Sequence, residues 1–378
     1  MKLAVFPLED IETYEKKGFV QKNYYNPNNM FDKIYIFNPS EPKELNPAMV
    51  QAMCGNAEYI IRFIGKQNTV QKILGLKKNA ARCVQEISNI RPDCIRSYGM
   101  LFNTYIASEC AEKNKIPLII SLHACHDDIK RNALRTRQII PFLFYTWWNK
   151  FFESNMLCKA KKIIAVYKFA KEYALNNGAD YKKVTVIYNK IDINLFHPSN
   201  KKFENFTVIN VMRQIEVKNQ QVLIKSVAKL KNVNLLLIGD GPEHKKLVKL
   251  AKKLKCADRI IFIKRVLNSE LPLYYQKAHV FASSCNNGGV GIPILEALAC
   301  GLPVIHSKYK YEENPDILPS CALRVNNTPE SFADTISLLM DDKELYNHYL
   351  NMGLGFSKQI NSKTMSDKEE KVYQEVIK

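Results

Sequence analysis

The chain has 378 residues and a formal net charge of +18, from Lys+Arg 55 against Asp+Glu 37. That length allows two ordinary domains with sizeable cores, and the apolar (46%) and charged (24%) fractions are those of a globular chain. No apolar run reaches the ~18 residues that a membrane-spanning helix needs. The start, MKLAVFPLED, turns acidic at Glu9 and Asp10 before an apolar signal segment forms, so it reads as a first strand. Ten cysteines form no CxxC pair and are expected as reduced, mostly buried thiols in a reducing compartment. The seven histidines show no metal-binding spacing, and no metal site is expected. The positive field favours anionic partners such as nucleotide phosphates, anionic lipid or nucleic acid without choosing among them. Neither a basic-aromatic RNA-binding sheet signature nor zinc-finger spacing occurs, so nucleic acid is not an expected partner.

In chain order, apolar runs alternate with helical stretches. KLAVFPL (2–8) and KIYIFNP (33–39) read as strands. The helical AARCVQEISNI leads into the strand DCIRSYG (93–99), and the helical NTYIASECAEKNK into PLIISLHACHDD (117–128), a strand running into a polar loop. Residues 129–153, IKRNALRTRQIIPFLFYTWWNKFFE, are basic and then aromatic. They read first as a core helix between two strands, and second as a segment in loose contact with an anionic membrane surface. KKIIAVY (161–167) and KVTVIYN (183–189) continue the strands, and IDINLFHPSNKKFENF (191–206) breaks the periodicity as a linker.

Beyond the linker, TVINVMR (207–213), NLLLIGDGP (234–242), RIIFIKRV (259–266) and HVFASS (279–284) are strands, separated by helical stretches. The glycine-rich loop NNGGVG then opens the helix PILEALAC and the short strand PVI. Short strands alternating with helices imply βαβ units and parallel sheets. The expected fold class is α/β, with two Rossmann-like domains facing a cleft: residues 1–198, residues 199–357, and a helix in 358–378 packing back on the first domain. Ligands bind such sheets at the carboxyl ends of their strands, which suits a reaction between a nucleotide-bearing donor and a separate acceptor.

Five stretches carry a more specific signal: VIYNKIDINLFHP, NVMRQIEVKNQ, LLLIGDGPEHKKL, DRIIFIKRVLNSELPLYYQKAHVFASS and GGVGIPILEALACGLPVI. In order and spacing they resemble the GT-B glycosyltransferases, in particular the retaining glycosyltransferase family 4, over nearly all of residues 160–340. The resemblance implies that the first domain binds an acceptor and the second a nucleotide-sugar donor, UDP- or GDP-linked, with no cofactor and no metal. Arg213 and Lys218 would neutralise the leaving diphosphate, stabilising the transition state more than the ground state. Glu296 would accept from the two ribose hydroxyls. Gly288, Gly289 and Gly291, with Ile292 and Leu295 of the helix, would form the nucleotide-binding loop and its anion-favouring helix start. His123 matches the family's cleft histidine, and Gly18 its flexible glycine loop near the phosphate.

The chain also departs from the family. The first of two glutamates that have seven residues between them falls at position 288, which is Gly288; backbone amides, or Asn286 or Asn287, are candidates to hold the sugar in its place. Lys308, Tyr309, Lys310 and Tyr311 stand where glycines are common, and Lys190 follows Asn189 where glycine is usual. The resemblance implies retaining transfer of a sugar to a hydroxyl of a glycan or lipid-linked glycan, in surface polysaccharide or glycoconjugate assembly. The expected setting is the cytoplasm, at or near the inner face of the plasma membrane. The alternative is a non-catalytic relative that binds nucleotide-sugar or a partner enzyme.

Overall fold

A computed structural model describes residues 1–16, 21–65, 69–311 and 321–377, without the side chains of 69–74. The chain divides into two compact units, Met1–Tyr188 with Lys363–Lys378, and Asn189–Ser362. Each is a parallel α/β sheet flanked by helices, which agrees with the expected fold class.

The first unit holds β1 (Lys2–Phe6), β2 (Lys33–Asn38), β3 (Glu58–Phe63), β4 (Cys94–Tyr98), β5 (Leu118–Leu122), β6 (Lys162–Ala165) and β7 (Val184–Val186). Their order is β3-β2-β1-β4-β5-β6-β7, and every pairing is parallel. The order reverses between β1 and β4, where Leu3 pairs with Cys94. β4 and β5 are buried throughout, as strands covered on both faces must be. β3 has no counterpart in the sequence expectation. It is a half-exposed edge strand, EYIIRF, whose apolar run is too short and too mixed to announce itself.

The second unit holds β8 (Phe206–Val211), β9 (Val233–Ile238), β10 (Ile260–Ile263), β11 (Val280–Ser283), β12 (Val304–Ser307) and β13 (Leu323–Val325). Their order is β10-β9-β8-β11-β12-β13, again all parallel. The reversal lies between β8 and β11, where Val208 pairs with Val280. Val208, Leu235, Val280 and Ile305 from four neighbouring strands meet Phe332 and Ile336 in one core.

The division falls after Tyr188 rather than after 198, because the expected linker is packed and not free. Ile191 and Phe196 are buried, Phe196 lies 6.1 Å from Tyr275, and Ile191 bridges to Asn361. The second division likewise falls after Ser362 rather than after 357. The final helix, Ser362–Ile377, is part of the first unit. Arg96 on β4, 2% exposed, donates to Ser121 (3.0 Å), Tyr373 (3.0 Å) and Glu369 (3.2 Å), while Phe31 meets the Tyr373 ring edge-on. An arginine inside a sheet is tolerated because its donors are met in this way.

Residues 129–153 fold as the helices His126–Arg135 and Ile139–Trp148, followed by a π turn over Asn149–Glu153. Burial between strands holds for one face only. Trp148 is buried, stacks on Phe152 at 4.5 Å and donates to the Met100 carbonyl at 2.7 Å. The opposite face is exposed, Ile140 to 82%. Among the described residues none of the ten cysteines is in a disulfide; nine are buried and Cys158 is exposed. Among the described residues no helix is long and apolar enough to cross a membrane.

Candidate functional site

The carboxyl ends of β8 and β11 flank the strand-order reversal of the second unit, and both run straight into the residues expected to carry chemistry. After β8 the backbone passes Met212, Arg213 and Gln214. It is held there by close approach: Gly239 has φ +135°, and a Cβ on it would stand 2.1 Å from the Met212 carbonyl oxygen. Only glycine fits that contact. Gln214 completes the brace, donating to the Gly239 carbonyl at 2.7 Å and meeting His244 Nδ1 at 2.8 Å. Gln220 donates to the Arg213 carbonyl at 3.1 Å. The Arg213 side chain is therefore an exposed cation on a fixed backbone at the sheet's carboxyl edge.

Lys218 ends the short turn Glu216–Lys218 and is half-buried. Its carbonyl accepts from Ser284 Oγ at 3.1 Å, and the Val217 carbonyl accepts from the Asn286 N–H at 2.8 Å. These bonds tie the Lys218 turn to the loop that follows β11. Ser307 at the end of β12 donates to the Cys285 carbonyl at 2.7 Å, so the loop is anchored on both sides.

Gly288 and Gly289 are buried in this loop, and Gly289 has φ +84°, a conformation that glycine alone adopts without strain. Gly291 differs. It is exposed, has φ −71°, and a Cβ there would meet only Pro293 Cδ at 3.7 Å. Its backbone faces open space and caps the helix Ile292–Ala299. That helix begins one residue earlier than the run PILEALAC suggests, and Pro293 is tolerated in its first turn. Ile292 is half-buried, whereas Leu295 is 1% exposed, so its side chain packs in the interior and is withdrawn from the ligand-facing set.

Glu296 is 6% exposed, and Tyr275 Oη donates to its Oε2 at 2.8 Å. Burial raises its pKa from 4.5 to about 7, against the lowering effect of the Tyr275 hydrogen bond. Tyr275 is the partner that sequence reading missed; it lies in LPLYYQK, where it looks like an ordinary core tyrosine.

The loop also resolves the two asparagines. Asn286 Oδ1 is taken by Asn327 Nδ2 at 2.7 Å. Asn287 Oδ1 is buried without a hydrogen-bond partner among the described residues, and so are His306 Nδ1 on β12 and Asn327 Oδ1 after β13. Burial, then the Arg324 cation and more weakly Lys218, push the His306 pKa down to about 3. A group of orphaned buried polar atoms beside a glycine loop is unusual and calls for an occupant. His306 and Asn327 gave no signal in the sequence, since each stands alone outside any motif.

In the first unit His123 follows β5 at its carboxyl edge. Its ring lies 5.8 Å from that of Tyr98, and Nε2 is buried without a partner among the described residues. Burial, and then the Arg96 cation, lower its pKa to about 4, so the imidazole is neutral at pH 7. His126, three residues on, is committed to Glu153. Gly18 lies outside the described residues.

The model for Glycosyltransferase Family 4 matches residues 34–195, and that for Glycosyl transferases group 1 matches residues 192–353, so together they run from 34 to 353. The chain belongs to the GT-B glycosyltransferases. Within that family, the crystal structure of Anabaena Alr3699/HepE in complex with UDP aligns with a TM-score of 0.73, at 16% identity over 99% of this chain and 100% of its own. At that identity the likeness concerns the fold. A GDP-mannose-dependent alpha-(1-6)-phosphatidylinositol monomannoside mannosyltransferase of Mycolicibacterium smegmatis is 31% identical over 109 residues, 26% of this chain and 28% of that protein. The alpha-monoglucosyldiacylglycerol synthase of Streptococcus pneumoniae is 28% identical over 225 residues, 54% of this chain and 49% of its own. The chain thus spans about half or less of the length of these curated relatives.

Proposed function

We propose that this protein transfers a sugar, with retention, from a nucleoside diphosphate sugar to a hydroxyl of a glycan or lipid-linked glycan. The observation that carries the reading is Glu296. A buried carboxylate with one phenolic partner is unfavourable by itself. It is explained if a ribose supplies the missing hydroxyls beside a glycine loop and a helix start suited to phosphate. Donor chemistry of this class is that of the UDP-bound structural relative and the GDP-mannose-dependent sequence relative. The glycolipids in the names of the sequence relatives support a lipid-linked acceptor, and with it a place at a membrane surface.

In the proposed reaction the bond between the anomeric carbon and the diphosphate oxygen breaks, and the acceptor oxygen bonds to the same face. The acceptor proton passes to the departing diphosphate. Arg213 and Lys218 stabilise the negative charge that grows on that diphosphate, with no metal or cofactor called on. Neutral His123 hydrogen-bonds a hydroxyl of the sugar or acceptor. Asn287 takes the place of the carboxylate missing at position 288, using its buried unpartnered Oδ1 as acceptor.

The test is nucleoside diphosphate release from UDP-, GDP- and ADP-sugars with a lipid-linked glycan extract as acceptor. Release from one donor, lost in Arg213→Ala and Lys218→Ala, is expected. Tight nucleotide binding with no release from any donor would establish instead a non-catalytic relative, the reading that Gly288 favours.

A further inference from the structure

We propose that the outward face of the helix Ile139–Trp148, continued through Phe151, is a docking surface for an anionic lipid bilayer. The helix sequence, IIPFLFYTWW, is apolar on every side. Its inward side is satisfied by Trp148, Phe152 and Phe102, with ring centroids 4.5 and 4.8 Å from Trp148. Its outward side is not: Leu134, Ile139, Ile140, Leu143 and Phe151 are 58%, 68%, 82%, 59% and 59% exposed, and Trp147 is 37% exposed. A helix apolar all round belongs in a protein interior or in lipid, and a contiguous bare patch of this kind marks an interaction surface.

The patch is a continuous stripe. Ile139, Leu143, Trp147 and Phe151 follow one another in steps of four. Each α-helical step of four overshoots a full turn by about 40°. The wider π turn Asn149–Glu153 takes back part of that drift and keeps Phe151 on the stripe.

Charge identifies the occupant. Arg135 and Arg137 stand exposed before the stripe and Lys150 after it, with Lys150 Nζ 5.5 Å over the Phe151 ring. The acidic groups of the segment are engaged elsewhere: Asp127 with Lys130 at 2.6 Å, Asp128 with Arg131 at 3.3 Å, and Glu153 in the interior with His126. An apolar stripe with a tryptophan, collared by cations, matches the boundary between acyl chains and anionic headgroups. A second copy fits less well, because a two-fold contact would set the same cations against each other. The inference concerns the first unit alone, and its test needs no donor, so its outcome is independent of the transfer reaction.

The full chain is sedimented with vesicles of phosphatidylcholine alone, and with vesicles containing about a third phosphatidylglycerol, while tryptophan emission is recorded. The chain has only two tryptophans, and Trp148 is already buried, so a blue shift reports Trp147. Binding to the anionic vesicles with a blue shift that Trp147→Phe abolishes is expected. Ile140→Glu and Leu143→Gln should each weaken binding at least tenfold while the circular dichroism melt stays unchanged, as befits exposed positions. Replacing Arg135, Arg137 and Lys150 by glutamine should weaken it by roughly fivefold per cation. Equal binding to both vesicle types, binding unaffected by Ile140→Glu, or a parent dimer that Ile140→Glu makes monomeric would each overturn the proposal, the last in favour of a second copy.

Discussion

Tyr275 gives its hydroxyl hydrogen to Oε2 of Glu296 across 2.8 Å, and both side chains are buried beneath the loop that follows β11. Burial, opposed by the Tyr275 hydrogen bond, leaves Glu296 with a pKa of about 7, so a modest change of pH alters what the carboxyl offers to a ligand.

The first prediction concerns stability. The folded-state pKa of Glu296 is raised above its ordinary value of 4.5, so its stabilising contribution is complete below that value and is lost as pH rises through about 7. Glu296→Gln should therefore raise the melting temperature at pH 8, by an amount worth on the order of 3 kcal/mol. The difference should fade by about pH 5. Thermal melts of both proteins across that range check it.

The same residue predicts an opposite effect on binding. The carboxylate is the stronger acceptor for two hydroxyls, because hydrogen bonds to an ionised oxygen are about twice as strong as neutral ones. Nucleoside diphosphate affinity of the parent should rise several-fold from pH 6 to pH 8. Glu296→Gln should bind at least tenfold more weakly at pH 8, with a flat pH dependence, as read by calorimetry.

Arg213 and Lys218 have no role in the core. Arg213→Ala and Lys218→Ala should each lower kcat by roughly 10²–10³, the usual effect of removing one transition-state charge partner. KM should move less, and melting temperatures should stay within about 1 °C of the parent, because exposed Arg213 and half-buried Lys218 both lie outside the core.

His123 predicts an acid-side signature. Its folded pKa is depressed from 6.5 to about 4, so the unfolded chain binds its proton first, and stability falls as pH drops through that window. His123→Phe should flatten this part of the stability profile. It should also reduce transfer, and the parent's rate should show no His123 inflection between pH 5 and 8.

Arg96 and Glu369 form a buried ion pair at 3.2 Å. Glu369→Gln should destabilise the protein by about 3–5 kcal/mol by stranding a buried charge. Arg96→Met with Glu369→Leu should recover much of that loss, as measured by denaturant unfolding.

The alternation of strand and helix was legible because strands buried on both faces, such as CIRSY and LIISL, are continuous apolar runs. The nucleotide helix was legible because a glycine loop, a proline and a lone acid stand together in GGVGIPILEALAC. Tyr275, His306 and Asn327 were not legible, since what marks each is a partner, or the want of one, brought by another strand. The linker misled for the same reason: its polar residues break the periodicity, while Ile191 and Phe196 between them are buried. The segment 129–153 was half read, because apolar residues on both sides of a helix fit a core as well as a surface that expects company.

The return of the last helix to the first unit sets an order of events during synthesis. Glu369 leaves the ribosome 273 residues after Arg96. At about 5–20 residues per second that interval is roughly 14–55 s. Throughout it, β4 carries a guanidinium whose carboxylate partner does not yet exist. The unit begun first is therefore finished last, and premature termination near the end of the message would damage the beginning of the protein.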